Sequence, residues 1–185
     1  MVVVVFLTLV FGILELARAM YICNTLQEVT RRGAALAVNT DFSDGTAMQQ
    51  VREYSVLRNS PGLLAFADPV TDAHIKIDYL SITNDGGALS MSPIPTGSLP
   101  ANPAENRLVC LNNPNDAGCI RLVRVRVCMP AGGNDCEPVP YKTIMSLVKL
   151  PFPLPRSITI ANAETLGLPP GLPPNPPNPP HPCGC

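Results

Sequence analysis

Hydrophobic positions crowd the start of the chain. Met1 to Leu14 carries no charged residue, and Leu16, Ala17, Ala19, Met20, Tyr21 and Ile22 extend the apolar run past Glu15 and Arg18. Fourteen helical residues cover about 21 Å, short of a hydrocarbon core of about 30 Å, so the extension matters. Glu15 and Arg18 stand three apart, a spacing that lets them pair on a helix and lowers the cost of holding both charges near lipid. Farther along, Ile22, Leu26, Val29, Gly33 and Leu36 recur every three or four residues, as on one helix face. Asn24, Gln27, Glu28, Arg31 and Arg32 fill the opposite side. No proline precedes Pro61. The pattern predicts a single helix from Val2 to about Val38, about 55 Å long. Half of it suits lipid and half suits packing on a domain, where the small residues Gly33, Ala34, Ala35 and Ala37 permit close approach.

The periodicity then changes. A second helix is expected over Thr46–Arg58, with Thr46 and Gln49 at capping-box spacing and Asn59-Ser60-Pro61-Gly62 ending it. His74 to Leu80 alternates cleanly, with Ile75, Ile77 and Tyr79 on one face, and Asn84-Asp85-Gly86-Gly87 is a turn signal. Residues 88–106 read as a surface loop, and Arg107–Leu111 as a short strand. In Ile120–Cys128, Val123, Val125 and Val127 face one way and Arg124 and Arg126 the other. Strands are also expected over Tyr141–Leu150 and Ser157–Ala161. Helices first and strands later indicate an α+β fold, and the turn chemistry favours an antiparallel sheet. The first helix should lay its small residues on the valine face. The arginine face is either a basic strip or, as the charge balance favours, a solvated outer surface.

Composition narrows the functional classes. The 185 residues include 13 Lys+Arg and 14 Asp+Glu, for a net charge of −1. Such a balance argues against affinity built on phosphate neutralisation, so no nucleic-acid partner is expected. Charged residues are 15% of the chain, against about 25% in ordinary soluble domains. With only 2 His, and no G-x-S-x-G elbow, H-E-x-x-H or P-loop, the chain reads as structural. No catalysis, cofactor, metal or small-molecule substrate is expected. Asp68, Asp72 and Asp78 do not have calcium-loop spacing. The 22 prolines culminate in Leu168–Cys185, which should be polyproline II or disordered and ends in Cys183-Gly184-Cys185.

Cys23 lies alone on the first helix. Cys110, Cys119, Cys128 and Cys136 lie in and around expected strand ends and loops. In an exported domain they would form disulfides. Three pairings are open; Cys110–Cys119 and Cys128–Cys136 are favoured, because each closes a loop containing Gly, Asn and Asp. The competing zinc site lacks the close Cys-x-x-Cys knuckles that such sites use. The apolar start also has competing readings. A buried core helix is one. A cleaved secretory signal is another, but no Lys or Arg precedes the run, and Leu16-Ala17-Arg18-Ala19 only approximates a cleavage site. A membrane anchor is the third and the preferred one.

Phe11-Gly12-Ile13-Leu14-Glu15-Leu16-Ala17-Arg18 resembles the FGIIEFGR run of TadE-like proteins, components of the tight-adherence pilus machinery. Asn24, Leu26 and Thr30-Arg31-Arg32-Gly33-Ala34-Ala35 are similar to the family's N-x-L-x-x-A-x-R-x-G-A-R segment. Ile158-Thr159-Ile160 and Ala163-Glu164-Thr165-Leu166-Gly167 are similar to its closing strand and tail. The likeness covers residues 6–60 and 120–167. It implies a single-pass anchor over residues 1–22 in a bacterial inner membrane and an extracytoplasmic, pilin-like α+β domain over 23–167. Residues 168–185 form a proline-rich tail. The implied role is pseudopilin-like, in pilus assembly, with pilins or other assembly proteins as partners. Glu15 and Arg18 are then the assembly residues, and Glu15→Ala should impair assembly without unfolding the domain. The family's basic leader and cleavage site have no counterpart before Val2, so either the true start lies upstream of Met1 or this copy is not processed. The alternative is a secreted, disulfide-stapled binding or adhesion module with a cleaved signal.

Overall fold

The computed structural model describes residues 1–130, 136–144 and 152–168. The fold is α+β: a long apolar helix leads, and a four-stranded antiparallel sheet of order β2-β1-β3-β4 follows. Helix α1 runs unbroken over Val2–Ala37, α2 over Gly45–Ser55 and α3 over Pro103–Asn112. The strands are β1 (Ile75–Asp85), β2 (Ala88–Pro93), β3 (Leu122–Val127) and β4 (Ile158–Asn162). The chain divides into two compact units. One holds residues 1–34, 49–77 and 125–159; the other holds 35–48, 78–124 and 160 onward.

In the first unit the inner stripe of α1 is Ala19, Ile22, Leu26, Val29, Gly33 and Ala34, all buried. Gly33 is where the helix comes nearest to its neighbours. A Cβ there would stand 2.8 Å from Ser55 Oγ and 3.1 Å from Val125 Cγ1. Thr30 and Thr159 join their hydroxyls at 2.9 Å. The small-residue face of α1 therefore meets the valine face of β3.

Helix α2 differs from expectation at both ends. Asp44, not Thr46, caps it: Asp44 Oδ1 accepts from Thr46 N–H at 2.8 Å and Ala47 N–H at 3.1 Å. Gln49 turns its amide to Asp72 and Glu53 instead. The helix stops at Ser55 because Leu57 takes a left-handed conformation (φ 62°). Arg58 N–H then closes on Glu53 O at 3.0 Å and Leu57 N–H on Tyr54 O at 3.1 Å, the paired bonds of a Schellman ending.

The expected strand over Tyr141–Leu150 does not form in its described part. Tyr141–Ile144 is irregular, and an isolated bridge joins Pro140 to Pro153. Residues 145–150 and the proline-rich tail from 169 lie outside the described residues.

In the second unit, β1 and β2 form a hairpin in register from Leu80↔Pro93 to Asp85↔Ala88. Gly86 (φ 63°) and Gly87 (φ 94°) supply the left-handed pair that a tight hairpin turn needs. Strand β2 thus occupies the expected loop, as an edge strand exposed on both faces. The expected strand over Arg107–Leu111 is helix α3. Asn102 accepts from Glu105 N–H at 2.9 Å, Pro103 opens the first turn, and the Glu105 carboxylate reaches back to Ala101 N–H at 2.8 Å. The arginine side of β3 is not a solvated surface. Arg124 pairs with Asp78 at 3.1 Å, and Arg126, which belongs to the first unit, is 9% exposed. Near the end, Leu166 N–H bonds to Val38 O, and Gly167 (φ 85°) lies so close to Asp41 that a Cβ would meet its backbone nitrogen at 2.6 Å.

His74 precedes β1, and its Nδ1 accepts from Thr71 N–H at 3.1 Å. Burial lowers its pKa, against a smaller opposing pull from Asp72.

Two predictions follow from this packing. Gly33→Leu should lower the unfolding free energy by about 1–3 kcal/mol through overpacking, whereas Gly12→Leu, with nothing near its added side chain, should not lower it; denaturant titration of both variants checks this. As pH falls below the unfolded histidine value of about 6.5, the unfolded chain takes up a proton that buried His74 resists, so stability should fall until the folded imidazole also titrates. Denaturation midpoints across that window should slope in the wild type and flatten in His74→Asn.

Candidate functional site

Exposure along α1 changes at one residue. Val2 to Leu14 are exposed or half-buried, and the first buried side chain is Glu15, at 4%. The helix there has no break, so the change is one of surroundings. Ala19 and Ile22 are buried like Glu15, while Leu14, Leu16, Met20 and Tyr21 face outward along the same turns. Among the described residues α1 is one helix long and apolar enough to cross a membrane, and only 11% of its most apolar 18-residue stretch is buried. A soluble core helix of that composition would be covered.

Burying a carboxylate costs several kcal/mol unless it is paired and hydrogen-bonded. Glu15 Oε1 receives Arg18 Nη1 at 3.2 Å, the Tyr141 hydroxyl at 3.0 Å and the Ile144 N–H at 3.0 Å. Arg18 is shared further. Its Nε donates to Phe66 O at 2.9 Å and its Nη1 to Lys142 O at 2.7 Å. The guanidinium lies 5.3 Å from the centre of the Tyr141 ring, which stacks on Phe152 at 5.0 Å. Burial, then the Glu15 carboxylate, raises the Tyr141 pKa, so the phenol stays protonated and able to donate.

These bonds make a collar where the exposed part of α1 gives way to its buried part. Two loops, one at Phe66 and one at Tyr141–Ile144, are tied to one turn of helix. An open groove of about 480 Å³ runs beside it, lined by Phe11, Leu14, Glu15, Ala17, Arg18, Tyr21, Phe66 and Ile144. The collar has consequences for Glu15→Ala. Because Glu15 holds Tyr141 and Ile144, its loss removes contacts made by the folded unit as well as any role in assembly.

Sequence reasoning singled out Glu15 and Arg18, which meet, but not Phe66, Tyr141, Lys142 or Ile144. Three of those contacts run to main-chain atoms and leave no residue-type signal. The Tyr141 hydroxyl alone had one: a tyrosine directly after Pro138-Val139-Pro140.

The four central cysteines stand apart from this site. Cys110 is bonded to Cys119, tying α3 to the segment before β3, and Cys128 to Cys136 just after β3. All four sulfurs are consumed, which overturns the zinc alternative for them. Cys23 is free and half-buried.

These features define a class: an α+β protein with two local disulfides, led by a helix whose apolar end stands clear of the fold. Residues 1–35 match the family described as TadE-like protein. The Phe11–Arg18 and Asn24–Ala35 segments fall inside that match; the similarities farther along lie outside it. No curated protein and no solved structure matches the chain. The match and the exposed apolar helix together suggest a membrane-anchored protein associated with the tight-adherence pilus.

Glu15→Ala should lower the thermal stability of the detergent-solubilised chain by about 3–5 kcal/mol, because it strands a buried guanidinium. The double variant Glu15→Ala/Arg18→Ala should cost less than the sum of the two single changes. A scanning-calorimetry mutant cycle measures both.

Proposed function

We propose that this chain is a pseudopilin-like structural component of tight-adherence pilus assembly. The apolar end of α1 crosses the inner membrane once, and the α+β domain lies on the extracytoplasmic side. The observation that carries the reading is the change of surroundings at Glu15 on an unbroken helix: thirteen residues, Val2 to Leu14, are offered to an apolar medium, and the rest of the same rod is the spine of a folded unit. The match over residues 1–35 supports the family role. Disulfides persist in oxidising compartments, which supports export of the domain. The mechanism is packing, with no chemical step; pilins or other assembly proteins are the partners.

The secreted-module alternative fits the geometry less well. Cleavage near Met20 would remove Glu15 and Arg18, leaving Tyr141 and the main-chain groups of Phe66, Lys142 and Ile144 without the partners described above.

Val5 and Leu9 are exposed, so Arg at either position replaces no buried side chain. Arg at the centre of a span costs about 2.5–3.5 kcal/mol, so Val5→Arg/Leu9→Arg should move the chain from the alkali-washed membrane pellet to the soluble fraction. It should also fail to restore surface adherence to a deletion strain that the wild type restores. Wild-type chain in the soluble fraction, or full complementation by the double variant, would refute the anchor.

A further inference from the structure

We infer that the collar is not held clear of the bilayer but rests in its interface, with Phe66 and Ile144 as apolar contacts and Tyr21 at the polar boundary. The inference deepens the anchor reading and rests on it.

The outward side of α1 does not turn polar where its inner side becomes buried. Met20 and Tyr21 are exposed beside the very turns on which Ala19 and Ile22 are buried. A bilayer that covers the outward apolar face of α1 therefore reaches the level of the collar. At that level the two tethered loops present their largest apolar side chains to the outside: Phe66 is 76% exposed and Ile144 is 67% exposed. Their main chains are fixed to the same helix turn, Phe66 O to Arg18 and Ile144 N–H to Glu15. The ring of Phe66 meets that of Tyr21 edge-on at 6.3 Å, so helix and loop make one continuous apolar surface.

The polar groups of this rim suit an interface better than bulk water or deep hydrocarbon. Glu15 and Arg18 satisfy each other inside, with side chains only 5% and 10% exposed. The Lys142–Asp68 pair, at 2.7 Å, is exposed, with side chains 66% and 43% accessible. Tyrosine and long charged side chains favour this arrangement, with an apolar body against lipid and a polar end in water. Lipid is the occupant because the patch is continuous with the exposed apolar helix.

The chain contains no Trp, so one introduced indole is a unique reporter. The full chain carrying Phe66→Trp, Ile144→Trp or, as reference, Val5→Trp is reconstituted into phosphatidylcholine–phosphatidylglycerol vesicles with brominated acyl chains. Phe66 and Ile144 are exposed, so the indole replaces no core contact. Blue-shifted emission and loss of intensity to brominated lipid at positions 66 and 144, comparable with the loss at position 5, support the inference. Quenching at 66 and 144 by aqueous iodide, or protection from both quenchers, as a covering protein would give, overturns it while the anchor stands. Failure of brominated lipid to quench the indole at position 5 overturns the anchor reading and this inference together.

Discussion

A carboxylate and a guanidinium, both removed from water on one turn of an apolar helix, organise the first unit. Neither charge is tolerable there alone, and together they demand more partners than a helix supplies. The surplus is met by two loops. Arg18 takes carbonyls from Phe66 and Lys142, and Glu15 takes the Tyr141 hydroxyl and the Ile144 amide. The joint between the exposed and buried parts of α1 is thus defined by hydrogen-bond geometry, which is directional, whereas hydrophobic burial is not. A nonpolar residue at position 15 would leave depth and rotation at this level to packing alone; a satisfied carboxylate adds directional bonds that fix both.

Below the joint the constraint is steric. Gly33 lets α1 approach Ser55 and Val125 more closely than any side chain would allow. That approach seats the buried stripe Ile22–Leu26–Val29 against its neighbours and brings Thr30 to Thr159 on β4. The helix is therefore gripped in two chemically different ways within one unit, by polar bonds near Glu15 and by backbone proximity near Gly33.

Much of the fold was legible because its pattern is local. Helix α1 carries an uninterrupted apolar run and then a clean helical stripe, and β1 and β3 alternate. The places where the reading failed share a cause. Strand β2 has its own alternation in Leu89 and Met91, but both face solvent at 71% and 61% exposure, so burial did not mark it among the Ser and Pro. Helix α3 was announced by Asn102-Pro103-Ala104-Glu105, a capping signal hidden in a segment rich in turn formers. Arg124 and Arg126 looked outward by alternation; tertiary packing covers both faces of β3, which no strand pattern can disclose. Of the candidate site, the helix half was readable. The loop half was not, because a main-chain carbonyl looks the same whatever residue bears it.

Both covalent bridges join cysteines near one another in the sequence, at separations of 9 and 8 residues, and Cys23, the thiol on α1, is unbonded. Among the described residues no sulfur bond fastens α1 to the sheet. Among the described residues, a pull along the rod is opposed by contacts that water and neighbouring groups can exchange, not by a sulfur bond. The rod is thus mechanically detachable, while the loops around β3 keep their stitches through the strain.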